Sequence, residues 1–456
     1  MLYVHPAKHG VVRGIDWARA GNPYAILPVG AIGLLNLLRK QGLRVEGLNY
    51  PLELLLDTSF DIHGWLRAYH GVKLILIDLH WYEHAFGAIE MARLCRRTHP
   101  QAWVVFGGLT ASAFAEEILE SHPEVDAIIR GDAEWPLVDL TEALQDLPDR
   151  GQIDLSRIAN LSYRHGEEVR SNPLAYCASE RLLDQLDFVG LDWLVHRQEY
   201  ARRQFSGFLP LKGHWLCIGR GCWYGCSFCG GGRAAHSLLA GRKVVVARAA
   251  RRVVYDLARL AEEGIHQVAF NLDLASLSEG YWHTVLAGIQ ERAITIGIYN
   301  EFFQLPSEGF VDLIAESAEI RASRVALSPL SGSESVRRRN GKRFSNDELM
   351  DIIGALIDRG LLVMVYFSLN LPGEDAQAFQ ETLDLARRIS DTFPRSMLDI
   401  LNTYHSLDPM SPMSMRPEQF GLTVTVRRFQ GYYDYCRATL LKLPEARRGE
   451  RRGFRW

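Results

Sequence analysis

The stretch Cys222-Trp223-Tyr224-Gly225-Cys226-Ser227-Phe228-Cys229 decides the reading of this chain. Its three thiols stand on a turn opened by Gly219-Arg220-Gly221, directly after an apolar run from His214 to Ile218. Such a loop can curl so that each thiolate reaches one iron of an iron–sulfur cubane. Ferredoxin runs carry four cysteines; here no fourth is in place, so one iron would be open to a substrate or cofactor. Two other readings stay open from the residues. Thiolates also bind zinc, with His214 or His236 as a fourth ligand, although a second Cys-x-x-Cys knuckle is absent. The three could also be buried, inert cysteines.

The whole chain narrows the class. Its 456 residues suffice for two or three domains. A net charge of −3 gives no electrostatic footprint for nucleic acid, and the basic tail Arg447-Arg448-Gly-Glu-Arg451-Arg452 reads as a solvated terminus. No apolar run reaches the length of a membrane span, and Met1-Leu-Tyr-Val-His-Pro lacks a signal-peptide pattern. Seven cysteines are too sparse for a disulfide scaffold. A thiolate metal loop needs reduced cysteines, so the expected compartment is the cytoplasm.

Outward from the loop, the chain shows two runs of alternating strands and helices. In residues 1–150, Ile32 to Leu38 has a helical period that stops at Gly42, and a strand follows from Leu43. Val72–Leu79 is a near-continuous apolar strand, as in a sheet covered on both faces. A helix near 85–98, strand Trp103–Phe106, a helix near 110–121, strand Val125–Ile129 and a helix over 134–146 complete an open, doubly wound, flavodoxin-like parallel sheet. Residues 151–205 read as a linker whose only periodic piece is Asn160–Arg164. From 206 to 404, strands are expected at 214–220, 266–272, 295–301, 323–328, 362–369 and 397–403, with a capping box at Ser345-Asn-Asp-Glu348. Six βα units make a partial barrel with its site at the strand carboxyl ends, where the cysteine loop falls. In the final segment, 405–456, the aromatic run from Phe429 to Cys436 is expected to be an amphipathic helix closing the barrel's open side, with Tyr432 and Tyr433 as candidate substrate contacts.

A Cys-x-x-x-Cys-x-x-Cys loop after the first strand of a six-unit barrel resembles the radical S-adenosylmethionine (SAM) superfamily. The resemblance implies a 4Fe–4S cluster on Cys222, Cys226 and Cys229, with SAM chelated by the open iron and cleaved to a 5′-deoxyadenosyl radical. It also implies SAM contacts from Phe228 beside the third cysteine, from Asn271 and Asp273 after the second strand, and from Glu301 at the end of the third. Ser328-Pro-Leu-Ser331 is similar to the family's ribose-contacting Ser-Pro-Glu-Ser, with Leu330 in place of the glutamate. One of Arg337, Arg338 and Arg339, with Arg338 as the candidate, is expected to pair with the SAM carboxylate, and Asn370-Leu371-Pro-Gly373 matches the turn that approaches adenine.

The N-terminal sheet resembles the cobalamin-binding domains found ahead of such barrels, through Gly107-Gly108-Leu-Thr110 and Gly131-Asp132-Ala-Glu134. The usual Asp-x-His-x-x-Gly is missing from His5-Pro-Ala-Lys-His9-Gly10, whereas Asp78-Leu-His80-Trp81-Tyr-Glu83 keeps the aspartate and histidine but ends in glutamate. His80, with Trp81, is expected to pack under the corrin or fill its lower axial face, the other reading being an ordinary histidine satisfied at a strand end. The implied activity is methyl transfer to an unactivated carbon of a small molecule, fed by an electron donor such as a flavodoxin or ferredoxin. Cobalamin-assisted rearrangement or cyclisation, and a zinc-stabilised binding protein, are the alternatives.

Overall fold

The computed structural model describes residues 1–14, 25–145, 153–203, 211–404 and 407–440, so the basic tail at 447–452 lies outside the described residues. The first sheet has the order β2-β1-β3-β4-β5-β6-β7. Its strands are β1 (Leu2–His5), β2 (Glu46–Asn49), β3 (Leu74–Asp78), β4 (Trp103–Gly107), β5 (Ala127–Ile129), β6 (Leu161–His165) and β7 (Glu168–Ser171). The first five are parallel, as the alternation predicts. A hairpin from the expected linker then extends the sheet: β6 runs antiparallel to β5, and β7 to β6. Its outer strand, Glu168-Val-Arg-Ser, is a mostly exposed edge without a buried stripe, which hides it from a periodicity reading.

Both faces of this sheet are buried, with the period of two that a strand imposes. Val4, Ile75, Ile77, Val104, Phe106 and Ile128 face one core, and Tyr3, Leu76, Val105, Ala127 and Ile129 face the other. The helix Phe429–Leu440 lies on the first of these faces and does not close the barrel. Its Tyr432 stacks on Tyr82 and its Tyr433 on Phe86, with ring centroids 5.2 and 5.4 Å apart. The aromatic spacing correctly gave a helix; which surface it covers is a tertiary choice that the segment alone does not encode.

The second sheet has the order β15-β14-β13-β12-β11-β8, all parallel. It comprises β8 (Gly213–Leu216), β11 (Gln267–Phe270), β12 (Gly297–Phe302), β13 (Arg324–Leu330), β14 (Leu362–Leu369) and β15 (Leu398–Tyr404). These are the six expected strands. The first ends earlier than expected, and Gly219–Arg220 (β9) instead pairs antiparallel with Val246–Ala247 (β10). Helices fill the crossovers, and the capping box at Ser345 and Glu348 is formed in both directions. Such a cap stabilises a helix by about 1 kcal/mol.

Candidate active site at the junction of the two sheets

The cysteine loop leaves β9 and runs into the helix Arg233–Ala240. Its start is pinned by Asn271, which accepts from the Ile218 N–H at 2.8 Å and donates to the Gly219 carbonyl at 2.8 Å. Cys222, Cys226 and Cys229 are unpaired by disulfides and only partly buried. Backbone N–H groups of Tyr224 and Gly231 donate to the Cys222 and Cys229 sulfurs, each at 3.4 Å. Burial raises the Cys222 thiol and pushes Cys229 up to about 12, so a metal is what would hold these sulfurs as thiolates. Among the described residues, the three sulfurs do not converge within 4.8 Å of one another as ligands of one zinc ion would. Separate irons of a cubane suit them. His214, offered above as a zinc ligand, is buried with its Nε2 2.7 Å from the Phe188 carbonyl oxygen.

The ends of the next strands gather around this loop. Phe228 packs against a small cluster of Leu330, Val336, Leu371 and Ala378, so the cysteine loop touches the fourth and fifth strand ends. Ser227 bonds to Asn340, whose amide nitrogen donates to the Pro372 carbonyl at 3.0 Å. Ser328 is half-buried on β13, and the Asn370 N–H donates to Glu374 at 2.7 Å. Glu301 is reached by solvent, accepts from the Tyr299 hydroxyl at 2.8 Å, and is raised by the protein around it.

Asp273 is buried, with its oxygens accepting from the Phe303 N–H at 2.8 Å, the Ala275 N–H at 3.0 Å and the Asn300 side chain at 3.1 Å. Burial raises it to about 6 against the pull of those bonds. Arg338 points to solvent and pairs with Glu334 at 3.3 Å. Arg337 is the buried member of the trio, donating to the carbonyls of Pro329, Ser331 and Phe344 and so bracing the fourth strand end.

Two features of this mouth escaped the sequence reading. Lys342 is buried, donates to the Phe303 carbonyl at 2.6 Å and carries its charge toward Cys226, Asp273, Cys229 and Glu301; burial lowers its pKa. Its only sequence signal is a lysine directly after the Asn340-Gly341 turn. The segment after β15 covers the loop from the other side. Gly230 N–H donates to Asp408 at 3.1 Å, and Met413 N–H donates to the Ser227 carbonyl at 2.9 Å. Burial raises Asp408 to about 6.

The first sheet meets the loop with its own carboxyl edge. Leu109, just after Gly107-Gly108 at the end of β4, reaches within 3.6 Å of where a Cβ on Gly231 would stand. A Cβ on Gly131, beyond β5, would stand 2.7 Å from the Ala240 Cα, and its φ is +66°, so only glycine fits this approach. Asp132 and Glu134 both bind Arg220, two residues before Cys222. Asp132 also binds Arg242, and these arginines outweigh its burial and lower its pKa. Glu134 further accepts from Tyr176 at 3.2 Å. The two carboxylates thus bolt the sheets together.

A Cβ at Gly108 would stand 2.7 Å from the His80 Cα, so that glycine makes room for the protein's own backbone. Thr110 donates both its N–H and its hydroxyl to the His80 carbonyl, at 3.2 and 3.0 Å. His80 and Trp81 are only partly buried and stand edge-on at 4.8 Å. Burial pushes His80 down to about 4, with Asp78 opposing and His236 of the loop helix adding to the shift, so its imidazole is neutral.

Around this geometry, residues 216–386 match the sequence model of the radical SAM superfamily. The chain is similar to the anaerobic magnesium-protoporphyrin IX monomethyl ester cyclase of Cereibacter sphaeroides, 26% identical over 31% of this chain and 22% of the cyclase. It is also similar to the 2-(S-pantetheinyl)-carbapenam-3-carboxylate methyltransferase of Streptantibioticus cattleyicolor, 30% identical over 33% of this chain and 21% of that protein. The chain thus spans about a fifth of the length of these curated relatives. Among solved structures it shares its fold with the radical SAM methyltransferase TsrM of Kitasatospora setae, at a TM-score of 0.69 and 19% identity, over 93% of this chain and 77% of that one. The match to the radical SAM superfamily implies a 4Fe–4S cluster and SAM. Among the described residues, no helix is long and apolar enough to cross a membrane.

Proposed function

We propose that this chain is a cobalamin-dependent radical SAM methyltransferase acting on an unactivated carbon of a small-molecule substrate. The observation that carries the reading is the meeting of two carboxyl edges. Leu109 and Gly131 lie against Gly231 and Ala240, at either end of the segment leaving the cysteines. A cofactor on the first sheet and a cluster in the loop would then face one space. Likeness in fold to TsrM over both sheets supports the same reading.

Cys222, Cys226 and Cys229 would hold the cluster, and Phe228, Asn370, Leu371, Ser328 and Glu301 would surround SAM. His80 and Trp81 are the first-sheet side chains we assign to cobalamin. Gly107, Gly108 and Thr110 shape that edge from behind, whereas Asp132 and Glu134 act through Arg220. When bound, the cluster and SAM supply radical initiation and cobalamin supplies methyl transfer. The protein's share is placement. The Tyr224 and Gly231 N–H groups and the Lys342 charge favour negative sulfurs, while the Tyr224 and Phe303 rings meet edge-on, 5.9 Å apart, beside the loop. A small acidic electron donor such as a flavodoxin or ferredoxin, in the cytoplasm, completes the proposal.

The test is anaerobic reconstitution with iron, sulfide, cobalamin, SAM and a reductant, followed by product analysis with candidate substrates. S-adenosylhomocysteine formed together with 5′-deoxyadenosine is expected. Deoxyadenosine alone, with substrate converted, would overturn methyl transfer in favour of cyclisation or rearrangement, the reading that similarity to the cyclase supports. Failure to retain cobalamin would remove the first-sheet part of the proposal.

A further inference from the structure

In the first sheet, the order β2-β1-β3-β4-β5 sends the connections from β1 in opposite directions. The topological switch point therefore lies between β1 and β3, where open α/β sheets form their crevice at the strand carboxyl ends. His5 is the last residue of β1, and Asp78 is the last of β3. His84 ends the short 3-10 turn Tyr82–His84 that follows β3. The His5 Nδ1 lies 2.9 and 3.0 Å from the two Asp78 oxygens. The His5 and His84 rings meet edge-on, with centroids 5.0 Å apart. One ligand atom from each of the three lies within 4.8 Å of the other two, and all three residues are buried.

We propose that His5, Asp78 and His84 form a binding site for a divalent transition metal, distinct from the cysteine loop. Two imidazoles and one carboxylate are a ligand set for zinc or iron, with a water completing the coordination. Ligand atoms about 2.0–2.2 Å from a tetrahedral ion stand about 3.3–3.6 Å apart, so the trio, whose ligand atoms lie within 4.8 Å of one another, would close by rotamer adjustment around an ion. The Tyr3 hydroxyl donates to Asp78 Oδ1 at 2.7 Å, the outer bond that orients a ligating carboxylate. The three ligands come from separate places in the chain, and the ion would tie the loop after β3 to β1. That loop carries His80 and Trp81, and the Trp81 ring stands edge-on to His84 at 6.0 Å. The ion would thus fix the side chains at the crevice between the sheets. It takes no part in the cluster chemistry, and the inference stands apart from the methyltransferase reading.

The test uses the full chain with Cys222, Cys226 and Cys229 replaced by alanine, so that no cluster thiolate competes. It is dialysed against zinc and then against metal-free buffer. About one zinc per chain is expected to remain and to raise the melting temperature. His84→Gln and Asp78→Asn, each checked for native circular dichroism, should retain no zinc and show no melting shift. Cobalt(II) supplies a second readout that needs no further substitution: the parent should develop a visible ligand-field band of four- or five-coordinate cobalt. Absence of retained zinc and of the cobalt band would overturn the site and leave a hydrogen-bonded His–Asp–Tyr group. Equal zinc retention by a folded His84→Gln variant would also overturn it.

Discussion

Arg220 and Asp132 are bonded across the two sheets, Nη1 to Oδ1 at 2.9 Å, although 88 positions of chain separate them. The arginine belongs to the strand that delivers the cysteine loop, and the aspartate to the edge of the first sheet. Glu134 grips the same guanidinium, so both carboxylates are matched by one planar donor fork. Removing one partner of a buried pair leaves the other charge uncompensated, at a cost of about 3–5 kcal/mol. Arg220→Met should therefore lower stability in urea by about 3 kcal/mol. Glu134→Gln should cost less in the Arg220→Met background than alone, and simple additivity in that double-mutant cycle would refute the clamp.

Lys342 brings a buried positive charge to the sulfur loop. A nearby cation favours the reduced, more negative form of a cluster. Lys342→Met should therefore shift the cluster's reduction potential downward, read by a potentiometric titration of the reduced-cluster electron paramagnetic resonance signal. An unchanged potential in a variant with full iron content would show that the charge does not reach the cluster.

At Gly131 the two sheets approach closely enough to exclude a methyl group. Gly131→Ala places a Cβ 2.7 Å from Ala240 and holds a left-handed φ of +66°. A destabilisation of about 2 kcal/mol or more is expected from strain and displacement together. Gly166→Ala is the control, because its φ is similar at +62° with nothing within 4 Å. It should cost only the backbone share, about 1 kcal/mol. Equal midpoints in denaturant would argue against the contact.

His214 makes stability pH-dependent in a definite direction. Burial pushes its pKa down to about 4, from an ordinary value of 6.5. The unfolded chain thus binds a proton that the folded chain refuses between these values. The stabilisation is complete above pH 6.5 and declines as the pH falls toward 4, at up to about 1.4 kcal/mol per pH unit. In His214→Gln, whose amide can still donate to Phe188, the slope over this window should be shallower by about that amount. Denaturant melts at several pH values would check it, and an unchanged slope would contradict it.

The six barrel strands were readable because apolar runs such as Val363–Phe367 alternate along the chain with amphipathic helices such as Asn346–Asp358. The cysteines declared themselves by spacing. What the sequence concealed lies in pairings over long separations. Asp132 and Glu134 look like edge residues for a ligand until Arg220 and Arg242 are folded against them. Thr110 offers a hydroxyl in the sequence, but in the fold that hydroxyl donates to the His80 carbonyl. Arg337, Arg338 and Arg339 are indistinguishable as text, yet helical rotation buries the first and exposes the second. Lys342 could not be singled out, because nothing local marks a lysine that will be buried.

Past the sixth barrel strand the chain crosses the cysteine loop at Asp408 and Met413, then anchors on the far side of the first sheet as Phe429–Leu440. One continuous strap is therefore tied to both halves and lies over the loop between them. Any swing that widens the crevice pulls on that strap, and the strap pulls on Gly230 and Ser227. The covering of the cysteine loop and the spacing of the two sheets would therefore change together.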